Sequence, residues 1–260
     1  MVHDADGLDD DTMLAFARET RLAETTFVQT ATVDGADYRN RIFTVAEEVP
    51  FAGHPSLGTA VAVAAARGEA QARYVQQTPV GLQPIEVQRG DDSWTASMLQ
   101  EPAEFGKEVS AAHVMVAIGL VTGDAHRELP PQVVSTGLPT LVALLLDDAA
   151  IARAAPDLEL VEHLLAGCGA VNLYVAWHDG AGQAKARMFT RLVEGGEDPA
   201  TGSAAGPLCA YLAARGAGER VQIAQGVEIG RPSRLDAEIE GDRVRVGGSV
   251  VPLIEGRVSL

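Results

Sequence analysis

Three stretches hold residues whose types and spacing suit chemistry on a small anion. The first is Glu197-Asp198-Pro199-Ala200-Thr201-Gly202-Ser203-Ala204-Ala205-Gly206, which opens an alanine-rich segment. Thr201 and Ser203 are good N-cap residues for a helix there, and Gly202 and Gly206 permit close backbone approach. A helix start also offers free N–H groups and a partial positive charge, which suits a carboxylate. The second stretch, Ala52 to Ala60, makes the same arrangement with Gly53, Ser56 and Thr59, and holds His54 in a rigid Gly-His-Pro turn. The third is Glu24, a charged residue at the head of the strand-like run Glu24-Thr25-Thr26-Phe27-Val28. Taken singly, such a hydroxyl is usually only a cap and such a histidine only a surface residue. As a pair related by a pseudo-twofold axis, two helix starts can face one cleft and hold an anion without a lysine.

The remaining reactive residues argue by exclusion. His3, His113, His126, His163 and His178 are scattered without metal-ligand spacing, so no metal is expected. Cys168 and Cys209 lie outside the turns and read as small buried hydrophobes. No Ser-His-Asp order, phosphate loop or dinucleotide fingerprint is present.

The elements that position these turns repeat. Arg41-Ile42-Phe43-Thr44 recurs as Arg187-Met188-Phe189-Thr190 at an offset of 146. Pro55 and Pro199 lie 144 apart, and the Arg-Gly ends at Arg67 and Arg215 lie 148 apart. Upstream, Asp10–Thr20 and Asp157–Ala166 read as helices, Glu24–Thr30 and Ala170–Trp177 as strands. Glu24 then falls opposite Ala170 or Val171, an acidic residue where the other copy is apolar. Such a departure marks a functional candidate. Each helix is followed by three strands, predicted over Ala72–Gln76, Ile85–Arg89 and Trp94–Leu99, and over Val221–Ala224, Arg234–Glu240 and Arg243–Gly248. Val133–Leu146 reads as strand, Gly-Leu-Pro turn and strand, and its counterpart would precede residue 1.

The chain of 260 residues suits two domains, placed at 1–127 and 128–260, with a helix-like connection over Val109–Val121 and a last strand able to return to the first domain. Acidic residues outnumber basic ones 36 to 20, for a formal charge of −16, which argues against nucleic acid or an anionic membrane as partner. No apolar run approaches the ~20 residues of a membrane helix. Two unrelated cysteines and an acidic start unlike a signal peptide point to the cytoplasm.

Pro50–Gly58 (PFAGHPSLG), Glu197–Gly206 (EDPATGSAAG), Ser135–Thr140 (STGLPT), Glu24–Val28 (ETTFV) and Gln225–Leu235 (QGVEIGRPSRL) resemble the PhzF-like, or phenazine-biosynthesis-like, family. They stand in the family's order and span nearly the whole chain. The resemblance implies an α+β, diaminopimelate-epimerase-like fold: two similar pseudo-twofold-related domains, each a mixed sheet or barrel wrapped around a central helix. It further implies a homodimer and a cofactor-free isomerase that moves a proton along a conjugated, carboxylated substrate such as trans-2,3-dihydro-3-hydroxyanthranilate. By the same resemblance Glu24 transfers the proton, His54 and Asp198 assist, and Ser203 stands near the substrate carboxylate. Gly53, Ser56, Thr201 and Gly202 complete the binding set expected from the helix starts. The related epimerases carry a cysteine in each turn; His54 and Asp198 here disfavour two-thiol racemisation. The family's opening strand and Gly-Asn-Pro turn would precede residue 4. Two competitors remain. An amino-acid epimerase would need Asp198 as a second acid–base group opposite Glu24, and a non-catalytic binder would keep the site without turnover.

Overall fold

The computed structural model describes residues 1–258, the side chain of Glu194 excepted. Two compact units divide the chain: Met1–Leu99 joined by the chain from Gly247 onward, and Gln100–Val246.

In the first unit, α1 (Asp10–Thr20) starts where the Asp9 carboxylate accepts the Thr12 N–H at 2.8 Å. β1 (Thr25–Gln29) pairs antiparallel with β2 (Tyr38–Phe43), and the short β3 (Glu48–Val49) folds back onto β2. α2 (Gly53–Arg67) follows, and β4 (Gln71–Thr78) returns parallel to β2. β5 (Gly81–Arg89) and β6 (Trp94–Leu99) continue as an antiparallel meander. Ala60, Val61, Val63 and Ala64 of α2 pack against Tyr74, Ile85, Val87, Trp94, Ala96 and Met98, so the helix is the core of its unit. Where the chain returns, a Cβ on Gly247 would lie 2.6 Å from the Ala96 carbonyl oxygen, so only glycine lets the backbones approach this closely.

The second unit adds elements before the same sequence. β7 (Glu104–Glu108), α3 (Ala111–Ala117), β8 (Gln132–Ser135), β9 (Pro139–Leu144), α4 (Asp148–Arg153) and α5 (Leu158–Cys168) come first. Then β10 (Asn172–His178) pairs antiparallel with β11 (Gln183–Phe189), and β12 (Glu197–Asp198) folds back onto β11. α6 (Gly202–Ala213) leads to β13 (Arg220–Gln225), parallel to β11, then β14 (Ser233–Glu240) and β15 (Arg243–Val250). Ala204, Ala205, Leu208, Tyr211 and Leu212 of α6 lie among Val142, Tyr174, Ile223, Leu235 and Val244. Both units are therefore mixed sheets around a central, alanine-rich helix, and the fold is α+β as expected.

Three expectations are corrected. The division falls at Leu99–Gln100, not at 127–128, because the supposed connection is core. Val114, Met115, Ala117 and Ile118 pack with Leu141, Val161, Leu165 and Leu173. β7 was not foreseen: all five of its residues are exposed, so it carries no apolar alternation. Third, Thr25 pairs with Phe43 as Leu173 pairs with Phe189, so the counterpart of Glu24 is Asn172 rather than Ala170 or Val171. The loop joining β1 to β2 is longer than that joining β10 to β11, and this shifts the offset.

The repeated arginine explains how each central helix is aimed. Arg41 grips both oxygens of Glu48, at 2.8 and 2.6 Å, and lies 5.2 Å over the Phe43 ring. Arg187 grips Glu197 in the same bidentate way, at 2.8 and 2.7 Å, and lies 4.9 Å over Phe189. Each grip pins a two-residue strand, β3 or β12, from which the chain runs into α2 or α6. No helix among the described residues is long and apolar enough to cross a membrane.

Candidate functional site

α1, α4 and α5 are capped by the side chains of Asp9, Asp147 and Asp157. The two central helices differ. Ala52 and Thr201 occupy their N-cap positions without a side-chain cap bond, and neither first turn holds an acidic residue. The seven-residue α3 also lacks a side-chain cap. The starts of α2 and α6 therefore keep their helix-end N–H groups free of any side-chain cap.

At the start of α2, His54 is the second helical residue rather than part of a preceding turn. Its Nε2 lies 2.9 Å from Oε2 of Glu24, the residue just before β1. That oxygen is buried and accepts no aligned hydrogen bond, so the contact is close but off-line. The His54 side chain is 57% exposed and that of Glu24 22%, which places the carboxyl beneath an outward-facing imidazole. Sequence reasoning named both residues, and the structure brings them together.

Two hydroxyls brace this pair. Thr59 donates to the Pro55 carbonyl at 2.8 Å, and its Oγ1 lies 2.7 Å from that of Thr26. Since the Thr59 proton is committed to Pro55, Thr26 is the donor across the contact. The bond ties β1, two residues beyond Glu24, to the second turn of α2, five residues beyond His54. Ser56 is a correction: it is fully buried and its hydroxyl donates to the Ala52 carbonyl at 2.8 Å. The helix begins at Gly53, earlier than a serine cap would allow, so the Ser56 hydroxyl is turned inward and does not face an anion.

In the second unit Asp198 ends β12, and Thr201 donates to its Oδ2 at 2.6 Å. Thr201 is thus at the N-cap position but binds a carboxylate instead of capping α6. Gly202 and Ser203 form the first helical residues, with Ser203 matching His54 in position. Gln100 donates to the Gly202 carbonyl at 2.9 Å and accepts from Thr136 at 2.5 Å. A side chain on Gly206 would collide with that Gln100 amide. Pro207, inside α6, has no N–H to give the Ser203 carbonyl.

Gln100, Thr136, Gln225, Tyr174 and Thr26 were not assigned by sequence reasoning. Their partners are distant in sequence, and only the family-like stretches around Thr136, Gln225 and Thr26 hinted at them. Asn172, the counterpart of Glu24, is 3% exposed, with no partner for its Oδ1. Among the described residues no group of three His, Cys, Asp or Glu could hold a metal ion. Burial pushes the Cys209 thiol up to about 12, keeping it an inert core group at neutral pH. Cys168 is only half-buried, where full burial was expected.

A family model described as phenazine biosynthesis-like protein, PhzC-PhzF, matches residues 1–256. A trans-2,3-dihydro-3-hydroxyanthranilate isomerase from Pseudomonas aeruginosa is 37% identical over 267 residues, covering 99% of this chain and 91% of that protein. Among solved structures, a predicted epimerase from P. aeruginosa shares 35% identity at a TM-score of 0.79, covering 98% of this chain and 92% of its own. A Bacillus anthracis phenazine biosynthesis protein of the PhzF family shares 25% identity at a TM-score of 0.81, covering 96% and 91%.

Proposed function

The chain belongs to the PhzC-PhzF, phenazine biosynthesis-like family and is an isomerase, and from that premise we propose that it moves a proton between carbons of a small carboxylated substrate, with Glu24 as the acid–base group. The observation that carries this reading is the 2.9 Å contact between Glu24 and His54 at the uncapped start of α2. In the proposed reaction the Glu24 carboxylate takes a proton from an activated carbon. The C–H electron pair passes into the conjugated system as an enol-like anion. The carboxyl then returns the proton to another carbon, so nothing is oxidised or reduced.

His54, beside the carboxyl and half-exposed, stabilises the charge that develops on the substrate, as do the N–H groups of Gly53 and His54. Asp198 is the assisting carboxyl of the second unit. The N–H groups of Gly202 and Ser203, with the Ser203 hydroxyl, are suited to the substrate carboxylate. In this reading side chains and backbone carry the proton and charge without a cofactor, and the protein works as a cytoplasmic homodimer.

Trans-2,3-dihydro-3-hydroxyanthranilate is the first substrate to try, given the activity named for the Pseudomonas relative. In D2O the isomerised product should carry deuterium at the new C–H position wherever the Glu24 carboxyl exchanges with solvent before returning its proton. Glu24→Gln should lower turnover by about 10³-fold with circular dichroism unchanged. A Glu24→Gln variant that still turns over at the wild-type rate sinks the assignment. Inverted configuration at one carbon, in place of a shifted double bond, would replace isomerisation by epimerisation. Binding without exchange would mark a binder.

A further inference from the structure

The reading above leaves the Gln225–Leu235 stretch without a task, and its first two residues touch the Asp198 turn. Gln225 ends β13 and is completely buried. Its Nε2 donates to the Asp198 carbonyl oxygen at 2.7 Å and to Thr201 Oγ1 at 2.9 Å. Its Oε1 accepts the Thr201 N–H at 3.2 Å and the Tyr174 hydroxyl at 2.9 Å. A primary amide has two donors and an oxygen with two lone pairs, and all are engaged. The partners also fix which end is which, since the Asp198 carbonyl can only accept and the Thr201 N–H can only donate.

The directions propagate. Tyr174 is fully buried, and burial together with the nearby Asp198 carboxylate pushes its phenol pKa up, so it remains an O–H donor. Thr201 receives a hydrogen bond from Gln225, which leaves its own proton for Asp198 Oδ2 at 2.6 Å. Gly226 adds a backbone constraint. It has φ +76°, and a Cβ there would strike the Arg231 carbonyl and sit 2.8 Å from the Pro199 carbonyl oxygen. The Gln-Gly pair therefore presses directly on the Asp198-Pro199 turn.

We infer that Gln225 is a positioning residue, setting the direction of the Asp198 carboxyl group and the entry into α6 through its hold on Thr201. Its importance for turnover rests on the proposed reaction, whereas its hold on the turn does not. One amide takes up the Thr201 N–H at the start of α6, beside the Asp198 carboxylate that Thr201 holds.

The test is a cycle with Gln225→Met, Thr201→Val and the double variant, following deuterium incorporation for turnover and amide hydrogen exchange for structure. Gln225→Met should lower kcat by about 30- to 100-fold with KM changed less than about threefold, the signature of a misaimed group. The double variant should lose no more than the worse single, because both break one chain. Thr201→Ser, which keeps the hydroxyl donor, should recover most of the kcat lost in Thr201→Val. A folded Gln225→Met protein with wild-type kcat, or losses that multiply in the double variant, overturns the inference. Should Gln225→Met not fold, Tyr174→Phe removes one bond to Gln225 and none to Asp198 or Thr201. It should cost a few-fold in kcat and speed Thr201 N–H exchange, and no change in either measure refutes the idea. Should the wild type itself show no turnover, the proposed reaction fails while the Thr201 amide still decides this point. Exchange about tenfold faster in Gln225→Met or Tyr174→Phe supports the hold, and unchanged exchange removes it.

Discussion

The two central helices are approached by the same scaffold and finished with different chemistry. In the first unit Arg41, Phe43 and Glu48 fix the entry to α2; in the second Arg187, Phe189 and Glu197 do so for α6. Around those matching grips the positions diverge. Glu24 corresponds to Asn172, His54 to Ser203, and Val49 to Asp198, since Val49 pairs with Ile42 as Asp198 pairs with Met188. Even the brace is rebuilt. Thr26 and Tyr174 pair with Ile42 and Met188, yet Thr26 reaches the helix and Tyr174 reaches Gln225. What recurs holds the backbone, and what differs is where function is proposed.

The largest expected contrast tests the scaffold. The Arg187–Glu197 pair is 9% exposed at both ends, so Arg187→Met strands a buried carboxylate and should cost about 3–5 kcal/mol in urea unfolding. Glu48 keeps 28% exposure and can be hydrated, so Arg41→Met should cost about 1–2 kcal/mol, below the buried-pair range. Equal losses would break the view that the second grip is the more enclosed.

A smaller effect separates the braces. Thr26→Val removes the donor to Thr59 and should cost about 1 kcal/mol, with turnover down about tenfold. Thr26→Ser should restore both. Unimpaired turnover in Thr26→Val would leave Glu24 and His54 aligned by packing alone.

The smallest effect concerns acid. Arg41 turns its third contact to Asp10 at 2.6 Å, whereas Arg187 turns its own to the Ile151 and Ala154 carbonyls at 3.2 and 2.6 Å. The Arg41 hydrogen bond and charge hold the Asp10 carboxyl below the usual carboxylate range. A depressed folded-state pKa gives stability that is present above the unfolded value, about 4, and lost as pH falls through the folded one. Amide exchange in α1 should therefore quicken below about pH 4, and Asp10→Asn should reduce that dependence but not abolish it, because hydrogen bonds with Thr12 also hold the Asp9 cap below the usual carboxylate range. The Arg187 side has no such titrating partner, and acid loosening confined to α4 would reverse the comparison.

Much of this was legible in the sequence. Trp94–Leu99 and Asp10–Thr20 fall where their patterns place them, because alternation and capping are local signals. Glu24 and His54 stood out by type and position, and Asp198 through the family resemblance. Long-range pairing was not legible. The Asn172 correspondence follows strand register, which a fixed offset cannot supply when hairpin loops differ. Ser56 resembles a cap until the backbone is known to turn helical at Gly53. Gln225 has partners 24 to 51 residues away, so nothing beside it announces its duty.

Ala204 to Leu212 of α6 is buried without interruption. A helix enclosed on every flank offers evolution no side from which to enlarge or charge it, since each added methylene must displace a strand. Drift along that segment is restricted to exchanges among small and well-fitted residues. The freedom left to this helix lies at its mouth, where Gly202 and Ser203 are only partly buried and a side chain can change without rebuilding the core.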